Sequence, residues 1–183
     1  MARKESITAE IILNTAFEMT CTEGFESVTA RKLATRIGCS TQPIFRVYEN
    51  MGELDGEIYQ RAIQYFDEYY MNFTSEETTP FVHLGLAYIQ FATEEKNLFK
   101  LLFLSDKRGE RGMYELLNGN SGAVTKEITR ATEAGCKNPS VIFMKMWIFI
   151  HGAACMVLTG DYDLSQEETA VMLRETFHSI AGI

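Results

Sequence analysis

The stretch GFESVTARKLATRIGCSTQPIFRVYENMGEL, residues 24–54, decides the fold. Thr29 is placed to cap a helix running to Ile37, in which Ala30, Leu33, Ala34 and Ile37 share one face and Arg31, Lys32 and Arg36 lie outside. Gly38 ends that helix. Ser40 then reads as the N-cap of a short third helix, where Pro43 is tolerated because first-turn amides have no intrahelical acceptors. Two short helices joined by a glycine turn, with basic residues on the first and small polar residues opening the second, form the pattern of a helix-turn-helix.

The rest of the chain has the same periodicity. Apolar residues recur at three- and four-residue spacing, and no stretch alternates in the manner of a strand. A first helix from about Thr8 to Thr22 carries Ile12, Leu13, Ala16 and Met19 along one stripe and stops before Gly24, which suits a left-handed cap. Phe25 then turns back toward the core. A longer helix is expected from about Gly52 to Phe73, then the loop TSEETT at 74–79, then a helix opened by Thr79 as cap and Pro80 at its first position. NLFKLLFLS at 97–105 reads as a short apolar helix and DKRGERG at 106–112 as a solvated loop. The next helix, interrupted by GNSG at 119–122, ends near Gly135. Asn138 and Pro139 open a very apolar helix over 140–159, and Ser165 with Glu168 forms a capping-box pattern for the last one.

Composition narrows the class. With 183 residues, 46% of them hydrophobic, 23% charged and three prolines, the chain supports a sizeable core and is neither disordered nor collagen-like. The cysteines at 21, 39, 136 and 155 form no Cys-x-x-Cys pair and no secretory leader precedes them, which points to a reducing, cytoplasmic setting. Residues 141–158 raise the question of a membrane span, but Lys145 and His151 interrupt them, and a buried central helix is the expectation. The net charge is -8, yet residues 1–50 hold six basic and six acidic side chains, so the whole deficit lies after them. From Val28 to Asn50, Arg31, Lys32, Arg36 and Arg46 face Glu49 alone, a local positive patch able to meet phosphate. Those cations are equally the solvated face of an amphipathic helix. A phosphate-cradling loop, a Gly-x-Ser-x-Gly elbow and a His-Glu-x-x-His pair are missing, and DYDLSQEE from Asp161 lacks the glycine and glutamate of a calcium loop. The chain is therefore read as a non-enzyme with no metal or cofactor.

Residues 24–54 resemble the N-terminal DNA-binding region of the tetracycline repressor family. The elements that carry the resemblance are Ile12-Leu13, Gly24-Phe25, Thr29, Leu33-Ala34, Gly38-Cys39-Ser40, Ile44-Phe45, Tyr48 and Leu54. The family often has a tyrosine where Phe45 stands and a lysine where Met51 stands, so one hydroxyl and one charge are missing from phosphate contact. The resemblance implies an all-α protein of about nine helices. An N-terminal three-helix bundle with the helix-turn-helix would occupy residues 1–51, and a larger helical ligand-binding and dimerisation domain residues 52–183.

It also implies double-stranded DNA as partner. Contact is expected at Thr29, Arg31, Ser40, Thr41, Gln42, Pro43, Phe45 and Arg46, with Lys32, Arg36, Arg3 and Lys4 as further phosphate candidates. Thr41 and Gln42 are placed to read base edges, Gln42 pairing with an adenine and Pro43 touching a thymine methyl. A pocket for a small apolar or amphipathic effector is expected among Phe66, Tyr88, Phe91, Phe103, Met113, Met146, Trp147 and His151, although aromatic residues at helical spacing also make an ordinary core. Phe143, Ile150, Ala154, Met172, Thr176, Phe177 and Ile180 are expected at a homodimer interface. The functional expectation is a ligand-responsive repressor on a near-palindromic operator. The alternatives are a helical sensor acting through a protein partner, and a thiol sensor using Cys21 or Cys39.

Overall fold

The computed structural model describes residues 7–109 and 111–182, so Arg3 and Lys4 lie outside the described residues. Among the described residues there are ten α-helices and no strand. The chain divides into two compact units. One comprises the described part of Met1–Tyr65 together with Asn97–Gly109, the other Phe66–Lys96 with the described part of Glu110–Ile183.

In the first unit, α1 (Ala9–Glu23) is capped by Thr8, whose hydroxyl accepts the Ile11 amide, and it buries Ile12, Ala16, Phe17 and Met19. Gly24 adopts φ 90° and ψ 153°, a positive-φ stop that leads into a 3-10 turn at Phe25–Ser27. α2 (Ala30–Ile37) is capped by the Thr29 hydroxyl, which accepts the Lys32 amide at 3.3 Å, and it buries Leu33 and Ala34. Gly38, at φ 79° and ψ 34°, closes α2. Its amide bonds to the Thr35 carbonyl and the Cys39 amide to the Ala34 carbonyl at 2.9 Å, the paired bonds of a Schellman ending.

α3 (Ile44–Val47) is shorter than the sequence suggests, and it has no side-chain cap. Ser40 is thus not the N-cap expected of it: residues 41–43 form a turn in which the Phe45 and Arg46 amides already reach back to the Thr41 and Gln42 carbonyls. α4 (Met51–Asn72) begins where Asn50 accepts the Glu53 amide and the Glu53 carboxylate accepts the Glu49 amide. α6 (Lys96–Phe99) continues as a π-helical segment, Lys100–Leu104, and a 3-10 turn follows at Asp106–Arg108. The side-chain amide of Asn97 donates to the Cys21 carbonyl at 2.8 Å near the end of α1.

The second unit contains the last turns of α4, α5 (Val82–Glu94), α7 (Met113–Asn118), α8 (Ala123–Glu133), α9 (Pro139–Thr159) and α10 (Gln166–Ala181). α5 is its centre, packing on α8, α9 and α10, and nine of its thirteen residues are buried. Gly85 makes this possible: a Cβ there would stand 2.9 Å from Ile150 and from Leu173. α9, the candidate membrane span, packs on α5, α8 and α10, as a core helix does.

α5 starts two residues later than Thr79 and Pro80 suggest. Phe81 takes φ 66°, the only positive φ outside glycine among the described residues. Such a conformation costs about 1–2 kcal/mol for a residue with a Cβ. The fully buried Phe81 ring offsets it by packing on Phe143 and Phe177, with centroids at 5.8 and 6.2 Å. Its amide donates to the buried Glu127 carboxylate, which Arg130 pairs from one turn on.

Candidate functional site

Two regions gather the residues expected to act. The first is the end of the first unit formed by α2, the Gly38 turn and α3. Ile44, fully buried, and Tyr48, 3% exposed, anchor α3 one turn apart. Tyr48 Oη donates to Glu57 Oε2 of α4 at 2.6 Å, and burial, then the neighbouring Glu57, push its hydroxyl pKa far up. With that face fixed, Thr41, Gln42, Phe45 and Arg46 point to solvent, Phe45 with 48% of its surface exposed. Ser40, Thr29 and Arg31 are exposed on the same helix pair, and Pro43 is half-buried. Among the described residues no carboxylate pairs with Arg31 or Arg46.

Arg36 differs. Glu23 pairs with its guanidinium and Glu18 lies 4.0 Å away, both on α1, an exposed ion pair within the unit. The sequence put Arg36 with the other cations because nothing local signals a partner thirteen residues earlier. The Tyr48–Glu57 anchor was missed for the same reason. Cys21 and Cys39 are half-buried. A groove of about 680 Å³ runs beside α3, between Ile11, Ile37, Pro43 and Val47.

The second region is an aromatic layer in the second unit. Phe66 meets Phe91 edge-on at 4.9 Å and Tyr88 at 6.2 Å, and Tyr88 meets Trp147 at 4.7 Å. Trp147 stacks on His151 at 5.4 Å. The layer has one polar centre, where Tyr88 Oη and His151 Nδ1 lie 3.0 Å apart and His151 Nε2 faces Cys155 Sγ at 3.7 Å. Burial pushes the Tyr88 hydroxyl and the Cys155 thiol up and the His151 imidazole down, so all three are neutral near pH 7. Five of the eight residues expected around an effector are therefore in mutual contact. Met146 is fully buried on α9 and Met113 half-buried on α7. Phe103 belongs to the first unit, where it packs on Phe99 at 5.0 Å.

The residues expected between two copies lie on α9 and α10. Phe143, Ile150, Ala154 and Phe177 are buried in the core of their own chain, and Met172, Thr176 and Ile180 are half-buried on α10. α9 is apolar over most of its surface, with Lys145 on its exposed side, and Gly85 admits Ile150 to the core. The face left exposed carries Val141, Met144 and Ile148, the last with 66% of its surface open, and Met156 further along.

The fold and these regions define an all-helical protein with a helix-turn-helix in one unit and an aromatic-cored helical body in the other. A family model, "Tetracyclin repressor-like, C-terminal domain", matches residues 81–179, more than half of the chain, and the chain belongs to the tetracycline repressor-like family of regulators. No curated protein shows significant similarity to it.

Proposed function

We propose that this chain is a cytoplasmic, ligand-responsive transcriptional repressor, not an enzyme, that binds a near-palindromic operator as a homodimer and is released by a small apolar or amphipathic effector. The reading head lies in residues 1–51 and the effector-binding and dimerisation part in 52–183. The observation that carries this reading is the outward row Thr41, Gln42, Phe45 and Arg46 over the buried pair Ile44 and Tyr48, on a member of this family.

Arg46, Arg31 and the Thr29 hydroxyl serve the phosphates, while Thr41 and Gln42 reach base edges. Arg36, which pairs with Glu23, is assigned a smaller part in phosphate contact. Two heads related by a two-fold axis meet major grooves about 34 Å apart. We assign the pairing face to the exposed stripe of α9 around Ile148. The effector enters the layer around Tyr88 and His151, whose neutral polar centre favours an uncharged ligand group. An effector that prefers one of two head spacings tenfold shifts their balance by about 1.4 kcal/mol.

The test is selection from random DNA duplexes with the purified full chain near physiological salt, followed by titration of the enriched site with Gln42→Ala and Arg46→Ala variants. A near-palindromic consensus is expected. Gln42→Ala should relax one base position and Arg46→Ala should weaken binding evenly across sequences, with a smaller salt slope. No enrichment from an intact dimer would overturn the reading in favour of a sensor that acts through a protein partner.

A further inference from the structure

Between α5, the end of α9 and the start of α10 the second unit has a groove of about 350 Å³, within the range of small-molecule sites. It is not the aromatic layer described above, none of whose residues line it. It is not the exposed stripe of α9 either. Val157 of the groove follows Ile148 by nine residues, two and a half helical turns, and so points to the opposite side of α9.

The floor is apolar: Leu86 and Ile89 of α5 are buried, Val157 is half-buried, and Leu164 stands exposed at the lip. Two polar features share this lining. Thr169, buried in the first turns of α10, lies with its Oγ1 2.8 Å from Tyr162 Oη. One hydroxyl of that pair donates to the other, which leaves one proton and free lone pairs for a third group. The second feature is Lys96, exposed at the rim. Glu94, the last residue of α5, is held by Gln90 at 2.7 Å and Tyr69 at 2.7 Å, and no carboxylate among the described residues, its chain neighbour Glu95 included, forms an ion pair with Lys96. A hydroxyl pair, an apolar floor and an unpaired ammonium are complementary to one kind of molecule.

We propose that this groove binds a small aromatic hydroxy acid, its ring on Leu86, Ile89 and Val157, its hydroxyl on the Tyr162–Thr169 pair and its carboxylate on Lys96.

The probe is 4-hydroxybenzoate, titrated into the full chain by calorimetry, with the neutral 4-hydroxybenzamide and benzoate as analogues. No DNA is present, so the outcome is independent of the regulator reading. Lys96→Gln, at an exposed position that leaves folding intact, is expected to weaken 4-hydroxybenzoate by about fivefold and to leave 4-hydroxybenzamide unchanged. Tyr162→Phe is expected to weaken 4-hydroxybenzoate by about three- to tenfold, to the level of benzoate. Tyr88→Phe, in the aromatic layer, is expected to change nothing. The proposal is overturned by absence of binding up to about 10 mM, by equal affinity of Lys96→Gln and the parent for the acid, or by loss of binding in Tyr88→Phe.

Discussion

Gly119 sits at φ 50° and ψ −165°, a combination close to the region that only glycine populates, and a Cβ built there would collide with the Asp67 carboxylate. Gly122, three residues on, is also at positive φ but has open space around it. The pair separates strain from collision. Gly122→Ala is expected to cost about 1 kcal/mol from backbone strain alone, and Gly119→Ala at least about 2 kcal/mol, since Asp67 must also move. Chemical denaturation of both variants reads this directly, and equal costs would mean that Asp67 yields freely. The turn itself was legible, because Gly-Asn-Ser-Gly between two amphipathic runs breaks a helix. The reason glycine is required at 119 was not, since Asp67 lies fifty-two residues away in sequence.

Helix starts show where local rules hold and where they yield. α10 opens on a capping box: the Ser165 hydroxyl accepts the Glu168 amide, and Glu168 accepts the Ser165 amide at 2.8 Å. Ser165→Ala is expected to lower stability by about 1 kcal/mol, seen as a lower denaturation midpoint with unchanged slope. α5 is the opposite case. Thr79 and Pro80 advertise a start, yet the helix waits for Val82 because burying the Phe81 ring and satisfying its amide with Glu127 outweighs the local preference. Glu127→Ala strips the Phe81 amide of its acceptor and leaves Arg130, about a third exposed, without its carboxylate. The expected cost is about 2–3 kcal/mol, less than for a fully buried pair. Glu127→Gln, which keeps an acceptor, should recover part of it, and failure of both variants to differ from the parent would remove Glu127 from the account of α5.

At the scale of the whole molecule, pH and self-association are the informative variables. Burial holds the His83 and His151 imidazoles below their ordinary value near 6.5. The folded chain therefore keeps these rings neutral, while the unfolded chain takes up protons as pH falls through about 6.5. Stability should decline from there until the folded-state values are passed and then level, with the sign set by the extra protons bound on unfolding. Glu94 behaves differently: its hydrogen bonds to Gln90 and Tyr69 hold its carboxyl below its ordinary 4.5, and that contribution is lost only in more acidic solution. Thermal melts from pH 7.5 to 5 should show the first loss, and a double variant, His83→Phe with His151→Phe, should flatten it. A profile equally steep in the variant would assign the loss to other groups. For self-association, Ile148→Glu puts a charge at the centre of the exposed α9 stripe. Sedimentation is expected to show a monomer that keeps its helical content; an intact dimer would move the pairing face elsewhere.

Most of the helices and several of their ends follow from the sequence alone because they depend on neighbours within a few residues. Thr8, Thr29 and Ser165 cap, Gly38 and Gly160 stop, and three- and four-residue spacing marks the buried faces of α1 and α2. The helix-turn-helix pattern was legible for the same reason, its first cap and its glycine turn lying between Thr29 and Tyr48, whereas the anchor of α3 on Glu57 was not. Tertiary structure alone decided how the apolar surface of α9 is divided between core and exterior, which cation is already paired and where a capped start is overruled. Ile150 is core and Ile148 is surface because Gly85 makes room for one of them. Arg36 is paired because α1 brings Glu23 to it. Each of these turns on groups distant in sequence, whose burial and pairing outweigh preferences worth about 1 kcal/mol per residue.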